Sequence, residues 1–432
     1  MRIAKALLLR QEALHPAVLA AVCLLILLLP LASAGAQTET ETMSDPRIQE
    51  AVVLMNAFAE RTGLTSARPA RRYLWTDAFA VCNYLGLARA SGAPQYTQLA
   101  LQLVDQVHHV LGRHRQDDRR RGWISGLSEE QGEQHPALGG LRIGKQLPER
   151  GPGEAHDERL EWDRDGQYFH YLTKWMHALD QVTRRTREPR FNIWGRELAG
   201  SAFAAFTYES AAYPGQRRMV WKMSIDLQRT LVPSMGQHDP LDGYVSSLQL
   251  QSTAAALPQP AAGPDLEAET RQYAALVQRG ELVTADPLGL GGLLVDAWRL
   301  LQLMQQGAVL EVQLPERLLD AALSGLQHYV QQGDLEQPAR YRLAFRELGL
   351  ALGLHAVERM YRAVQHSSSD TRLRARLEAL RQYLPLRDAI EAFWRDPGHQ
   401  RAATWEEHQD INAVMLATSL VPDGFLELLP VD

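Results

Sequence analysis

Two cysteines in 432 residues leave no disulfide framework to read. Cys23 lies inside an N-terminal apolar run, so removal of that run leaves Cys82 alone, a thiol within an apolar helix that reads as packing. Blocks of basic residues are also missing. The formal charge is -6 and the cations, overwhelmingly Arg, are scattered, which excludes the electrostatic footprint of a nucleic-acid binder. Metal-ligand spacing is poor as well. There is no His-Glu-x-x-His, and His108-His109 are adjacent and cannot share one helix face. No metal and no cofactor is expected.

What is present begins with Arg2, Lys5 and Arg10, then an apolar run from Ala17 to Leu29, then Ala32-Ser33-Ala34 and Ala34-Gly35-Ala36 as small-x-small cleavage sites. This is the layout of a secretory signal peptide over 1–36, and export to a periplasmic or extracellular space is expected. The run approaches the length of a membrane span, so an uncleaved anchor is the alternative and would be the chain's only membrane contact. Residues 37–44, rich in Thr and Glu, read as a tail, and 45–432 as one domain.

Within that domain the signal is repetition. Charged amphipathic stretches alternate with stretches of small and apolar residues that open on polar clusters. Six pairs follow: 45–61 with 76–90, 95–114 with 164–184, 190–208 with 242–255, 265–279 with 287–305, 315–331 with 341–365, and 371–394 with 410–420. Pro46, Pro287 and Pro315 suit first-turn positions, and Asp45, Asp286 and Asp370 suit caps. Stretches with little polar face, such as Ala78-Phe79-Ala80-Val81 and Leu288 to Val295, belong inside a bundle, and stretches such as Arg372 to Glu378 belong outside. The pattern predicts an all-α, (α/α)6 toroid.

Links leaving inner helices are short, at 91–94, 186–189 and 367–370, with a Pro- and Gly-rich spacer at 257–264. Links leading into inner helices are long, at 115–163, 209–241 and 396–409. Alternation puts all these inlet loops at one end, with the inner-helix N-termini and their free N–H groups. Short strands are expected in the inlets, at 122–125 paired with 140–144, and at 218–225.

Six alternating hairpins with polar clusters at the inner-helix starts resemble the six-hairpin glycosidase superfamily over 45–432. That resemblance implies glycoside hydrolases, unsaturated-uronyl hydrolases, sugar 2-epimerases or polysaccharide lyases as relatives in architecture. It carries over no residue-level motif. Other toroids are a poorer match: one mature cysteine cannot supply the zinc thiolates of a lanthionine cyclase, and Asp163-Arg164-Asp165 meets a terpene-cyclase-like acidic run only in part. Gly122 to Gly126 lacks the pattern and setting of a serine nucleophile elbow.

The richest cluster is Glu161 to Tyr171, where acid, amide, imidazole and aromatic groups meet at one inner-helix start. Asp165 leads the candidates because the longest inlet delivers it. Asp77, Asp239, Asp242 and Asp410 open other inner helices. Two of these five are expected to act as acid and base or nucleophile if the chemistry is hydrolysis. Trp75, Tyr168, His170, Tyr171, His238, Arg346 and His408 are the expected ligand-binding groups, aromatics stacking on a sugar ring and Arg346 meeting an anionic group. A uronate lyase or sugar epimerase would use Tyr or His for proton transfer instead. A non-catalytic envelope protein binding glycan or a partner at the same rim is the third alternative. For each aspartate the competing expectation is a helix cap or an ion pair. The expected partner is a carbohydrate or other polar small ligand.

Overall fold

The structure is a computed structural model that describes residues 45–257, 262–308, 311–365 and 371–431. The expected signal segment and tail (1–44), the cap at Asp370 and parts of two links (258–261 and 366–370) lie outside the described residues. From Arg47 onward the described chain forms one compact unit. Among the described residues no helix is long and apolar enough to cross a membrane.

Six inner helices form the ring: α2 (Leu74–Ser91), α4 (Phe169–Thr186), α6 (Asp239–Ala256), α8 (Pro287–Gln305), α10 (Ala344–Gln365) and α13 (Gln409–Leu420). Around them stand α1 (Pro46–Arg61), α3 (Pro94–Leu111), α5 (Pro189–Phe206), α7 (Glu267–Arg279), α9 (Leu314–Gln332), α11 (Thr371–Arg381) and α12 (Leu384–Arg395). Each inner helix packs on the next, α2 on α4 through to α10 on α13, and α13 returns to α2. That last contact closes the toroid. The molecule is mostly α-helical, as the alternation predicts.

Most inner helices lack a polar stripe; α4 is the exception, and its polar residues His177, Asp180, Gln181 and Arg184 are buried within the ring. Every residue of α2 from Leu74 to Ala88 is buried, which only a helix with neighbours on all sides achieves. Small residues set how close they come. A Cβ on Gly291 of α8 would sit 2.0 Å from the Gly349 carbonyl oxygen of α10, so these two helices meet backbone to backbone.

Three details differ from the sequence expectation. Each of the first five inner helices packs more extensively on the outer helix that follows it than on the one before it. The short exit links make the tight hairpins, for example through Gly92, whose φ of 67° ends α2. The last outer segment is two helices, because the chain turns at Gln382–Tyr383 and restarts with Pro385 in the first turn of α12. The strands are also rearranged. Residues 140–144 form no strand; Trp123 makes only an isolated bridge to Arg113. The segment 218–225 divides between two sheets. β1 (Gln167–Tyr168) pairs antiparallel with β4 (Lys222–Met223), which pairs with β5 (Thr230–Val232). β2 (Thr207–Glu209) pairs with β3 (Arg217–Met219). β1 runs directly into α4, so this sheet holds the start of an inner helix.

The opposite end of the ring is stoppered. Residues 421–431 fold back under it, and their carbonyls are held by side chains of the inner helices. Gln181 donates to the carbonyls of Gly424 and Glu427 at 3.0 Å each, Arg184 to Leu429 at 2.8 Å, Gln302 to Leu426 at 2.9 Å and Gln306 to Leu428 at 2.8 Å. Phe425 stacks on Phe79 of α2, centroids 4.4 Å apart and rings 4° from parallel.

Candidate active site

A cavity of about 340 Å³ opens among the inner-helix N-termini and descends into the ring as far as Phe425. Its lining comes from the starts of five inner helices, α8 among them through Leu288 and Gly289, and from the inlets between them. Trp75 is in the first turn of α2, His170 and Lys174 in the first turns of α4, Asp239 and Asp242 in the first turn of α6, and Arg346 in the first turn of α10. Trp221, between β3 and β4, supplies an aromatic wall, and Asp296 and Arg299 of α8 line the cavity farther along that helix.

Asp239 and Asp242 are one turn apart and share a helix face. Their environments drive them apart. Burial and the negative charge of Asp242 push the Asp239 carboxyl up to about 8, and among the described residues it accepts a single hydrogen bond, from the Gly236 N–H at 3.1 Å. Burial also opposes ionisation of Asp242, but Lys174, 2.8 Å away, more than offsets it and holds this carboxyl below its usual range. At neutral pH the first is a proton carrier and the second an anion.

Two imidazoles face the same space. Trp221 donates its Nε1–H to His170 Nδ1 at 3.3 Å, which leaves the ring proton on Nε2. Burial pushes His170 down to about 4, so the ring is neutral. His238 donates Nε2–H to the Leu282 carbonyl at 2.9 Å, leaving Nδ1 as an acceptor when the ring is neutral. One ring therefore presents a donor and the other an acceptor.

The other charged groups are paired. Asp286 caps α8 through the Gly289 N–H at 2.9 Å and binds Arg346 across the mouth. Arg346 therefore reaches the cavity with its charge matched. Deeper in, Arg299 holds Asp296 at 2.9 Å and donates twice to the Gln249 amide oxygen, at 2.9 and 2.6 Å. Burial raises Asp296 in spite of Arg299.

Of the residues singled out in the sequence, Trp75, His170, His238, Asp239, Asp242 and Arg346 line this cavity. Asp165 does not. It is fully buried and accepts from Arg142 at 2.6 Å, Arg115 at 3.3 Å, and the N–H groups of Gly144, Gly166 and Lys145 at 3.0, 3.1 and 3.4 Å. That carboxylate ties the longest inlet together. Asp77 is likewise internal. It accepts from the Tyr73 N–H at 2.8 Å and faces Arg72 at 3.4 Å, and burial pushes it up to about 6. Asp410 is bound by Arg61 at 3.0 Å and Arg71 at 3.2 Å. Tyr171 hydrogen-bonds Tyr73 at 2.7 Å, and His408 lies edge-on to Phe345. Tyr168 is buried behind Trp221, outside the cavity.

The sequence reasoning missed Lys174, Trp221, Asp296 and Arg299. The signal was available for two of them. A charged residue inside an otherwise apolar inner helix has nowhere to point but the ring's interior, which holds for Asp296-Ala297-Trp298-Arg299 of α8. Among the described residues no three His, Cys, Asp or Glu side chains are grouped to hold a metal.

No protein-family model matches the chain, and no curated protein matches it. Among solved structures, a sugar epimerase from a ruminal bacterium aligns over 75% of this chain and 78% of its own, at 12% identity and a TM-score of 0.40. A likeness at that level carries no argument about activity, which has to come from the cavity.

Proposed function

We propose that this protein is a carbohydrate-active enzyme that uses acid–base chemistry on a sugar-sized ligand in the inner-helix mouth. The observation that carries the reading is the Asp239–Asp242 pair: two carboxyls one helical turn apart, one neutral and one ionised, in a cavity of about 340 Å³. The volume is near the lower end of ligand pockets, roughly 300–1,000 Å³. Trp75 and Trp221 offer apolar faces, and carboxyl, ammonium and imidazole groups surround them. A sugar ring, apolar on its C–H faces and polar round its edge, matches that division.

In this reading Asp239 gives its proton to the oxygen of a departing group. Asp242, kept anionic by Lys174, stabilises positive charge at the reacting carbon or activates water. This is a glycosidase-like division of roles. The stopper at the far end makes the cavity blind, which favours attack at a chain terminus. A second reading rests on the imidazoles. His238 Nδ1 accepts a proton and His170 Nε2–H donates one, as epimerisation requires. Product analysis separates the two, since hydrolysis consumes water and shortens the chain while epimerisation keeps the mass.

The test is a thermal-shift screen of monosaccharides, oligosaccharides and uronates, followed by product analysis on every ligand that raises the melting temperature. Binding without turnover would leave a glycan-binding protein, and no binding across the screen would overturn the carbohydrate reading. Export belongs to the same proposal, from the signal-like layout of 1–36. Sequencing the mature N-terminus checks it, and a retained Met1 in exported protein would indicate an anchor.

A further inference from the structure

Trp221 has two sides. One faces the main cavity, and the other lines a separate hollow of about 290 Å³ walled by Trp162, Tyr168, His156, Glu158, Glu161 and the turn after β5. Trp162 is 48% exposed, an unusual cost for the largest apolar side chain, and it stands edge-to-face against Trp221 with centroids 5.0 Å apart. Neither the fold nor the acid–base site uses it.

The polar atoms of this hollow point to a ligand. Tyr168 is 3% exposed, with its ring held between Trp221 and the Lys222 ammonium, yet among the described residues its hydroxyl has no hydrogen-bond partner. The ring is buried but the hydroxyl is not: it opens into the hollow as a free donor and acceptor. The Trp162 indole N–H and the Glu158 carboxylate are exposed and make no hydrogen bond among the described residues, so both are open to a ligand. Glu161, by contrast, is occupied by Lys222 at 2.9 Å and Arg150 at 3.0 Å, which fixes the short helix Glu158–Asp163 that carries Trp162. The hollow is therefore rigidly built, with an aromatic plate and unfilled donors and acceptors.

We propose that this hollow is an outer carbohydrate subsite. A pyranose ring lies on Trp162, with its hydroxyls on Tyr168 and Glu158, and its neighbouring unit occupies the main cavity across Trp221. The inference rests on the carbohydrate reading of that cavity and extends it from a single sugar to an oligosaccharide. Aromatic stacking supplies the apolar contact and the free polar groups supply orientation.

The test uses the full chain, titrated calorimetrically with glucose, N-acetylglucosamine and galacturonate and with the matching β-1,4-gluco, β-1,4-N-acetylgluco and α-1,4-galacturono tetrasaccharides. In at least one series the tetrasaccharide should bind about tenfold tighter than its monosaccharide. Trp162→Ala should erase most of that gain, and Tyr168→Phe, which keeps the ring and removes the hydroxyl, should erase part of it. Circular dichroism confirms that both variants are folded. Monosaccharide binding with no tetrasaccharide gain, or a gain that survives Trp162→Ala, overturns the subsite and leaves the main cavity's reading standing. No binding of any member overturns both.

Discussion

The two ends of this ring are built from the same six helices and treat their polar groups in opposite ways. At the stoppered end, Gln181, Arg184, Gln302 and Gln306 are each bonded to a backbone carbonyl of 424–429. At the open end, among the described residues, the Asp239 carboxyl accepts one bond, the Asp242 carboxyl accepts one, and the two imidazoles each retain a ring nitrogen without one. Buried polar groups that are satisfied hold a structure in place, and those that are left over wait for something else. Polarity alone does not mark a site in such a fold. Polar groups presented to an open cavity, and not spent on the chain's own carbonyls, do.

The comparison extends to two aspartates, and the largest expected effect tests it there. Asp165 is saturated by five donors. Asp165→Asn leaves Arg142 buried without its counter-charge and should cost about 3–5 kcal/mol of stability in urea or thermal unfolding. Turnover by whatever fraction stays folded should be little changed. A variant of normal stability that has lost catalysis would reverse the roles assigned here. Asp239→Asn is the mirror case. It should fold normally and lose about a hundredfold in turnover, because the proton donor is gone. Full activity in that variant would remove Asp239 from the chemistry.

Next in size is the stopper. Gln302 accepts from the Leu428 N–H at 2.8 Å as well as donating to Leu426. Gln302→Ala leaves both backbone groups buried and unpaired, at about 1–3 kcal/mol. An unfolding midpoint equal to the parent's would mean that the segment contributes nothing to stability.

A further effect is in pH. Asp239 holds its proton to about 8 in the fold against 3.8 when free. Between those values the folded chain binds more protons than the unfolded one, so this group's contribution to stability is complete below 3.8 and is lost as pH rises to about 8. Melting temperatures across that window should fall less in Asp239→Asn than in the parent. Turnover that depends on the Asp239 proton should decline above about 8 as well. Parallel melting curves for the two proteins would contradict the shift.

Much of the architecture was legible because ring position writes itself into composition. A helix buried on every side, like α2, cannot afford a charged stripe, whereas α11, with Arg372, Arg374 and Arg376, can. The open end followed from loop lengths, and half of the residues singled out there do line the cavity. Asp165 shows where that reasoning runs out. Its cluster has the chemistry of a site, but its partners Arg142 and Arg115 lie 23 and 50 residues away. Local pattern does not say whether a carboxylate meets a ligand or a guanidinium from another part of the chain. The break at Gln382–Tyr383 was legible in Pro385, whose missing N–H suits a helix start better than a helix middle.

The stopper also bears on how the protein comes into being. Its partners sit on α4 and α8, yet residues 421–431 come after all six inner helices in chain order. During synthesis from the N-terminus, hairpin after hairpin must hold buried amides and a guanidinium with nothing to bond. The contact that closes the ring, α13 on α2, arrives equally late. Helical proteins usually fold fast because their contacts are local. This one postpones its decisive contacts until residues 409–431 have been made, so its nascent form needs shelter for longer than its helix content suggests.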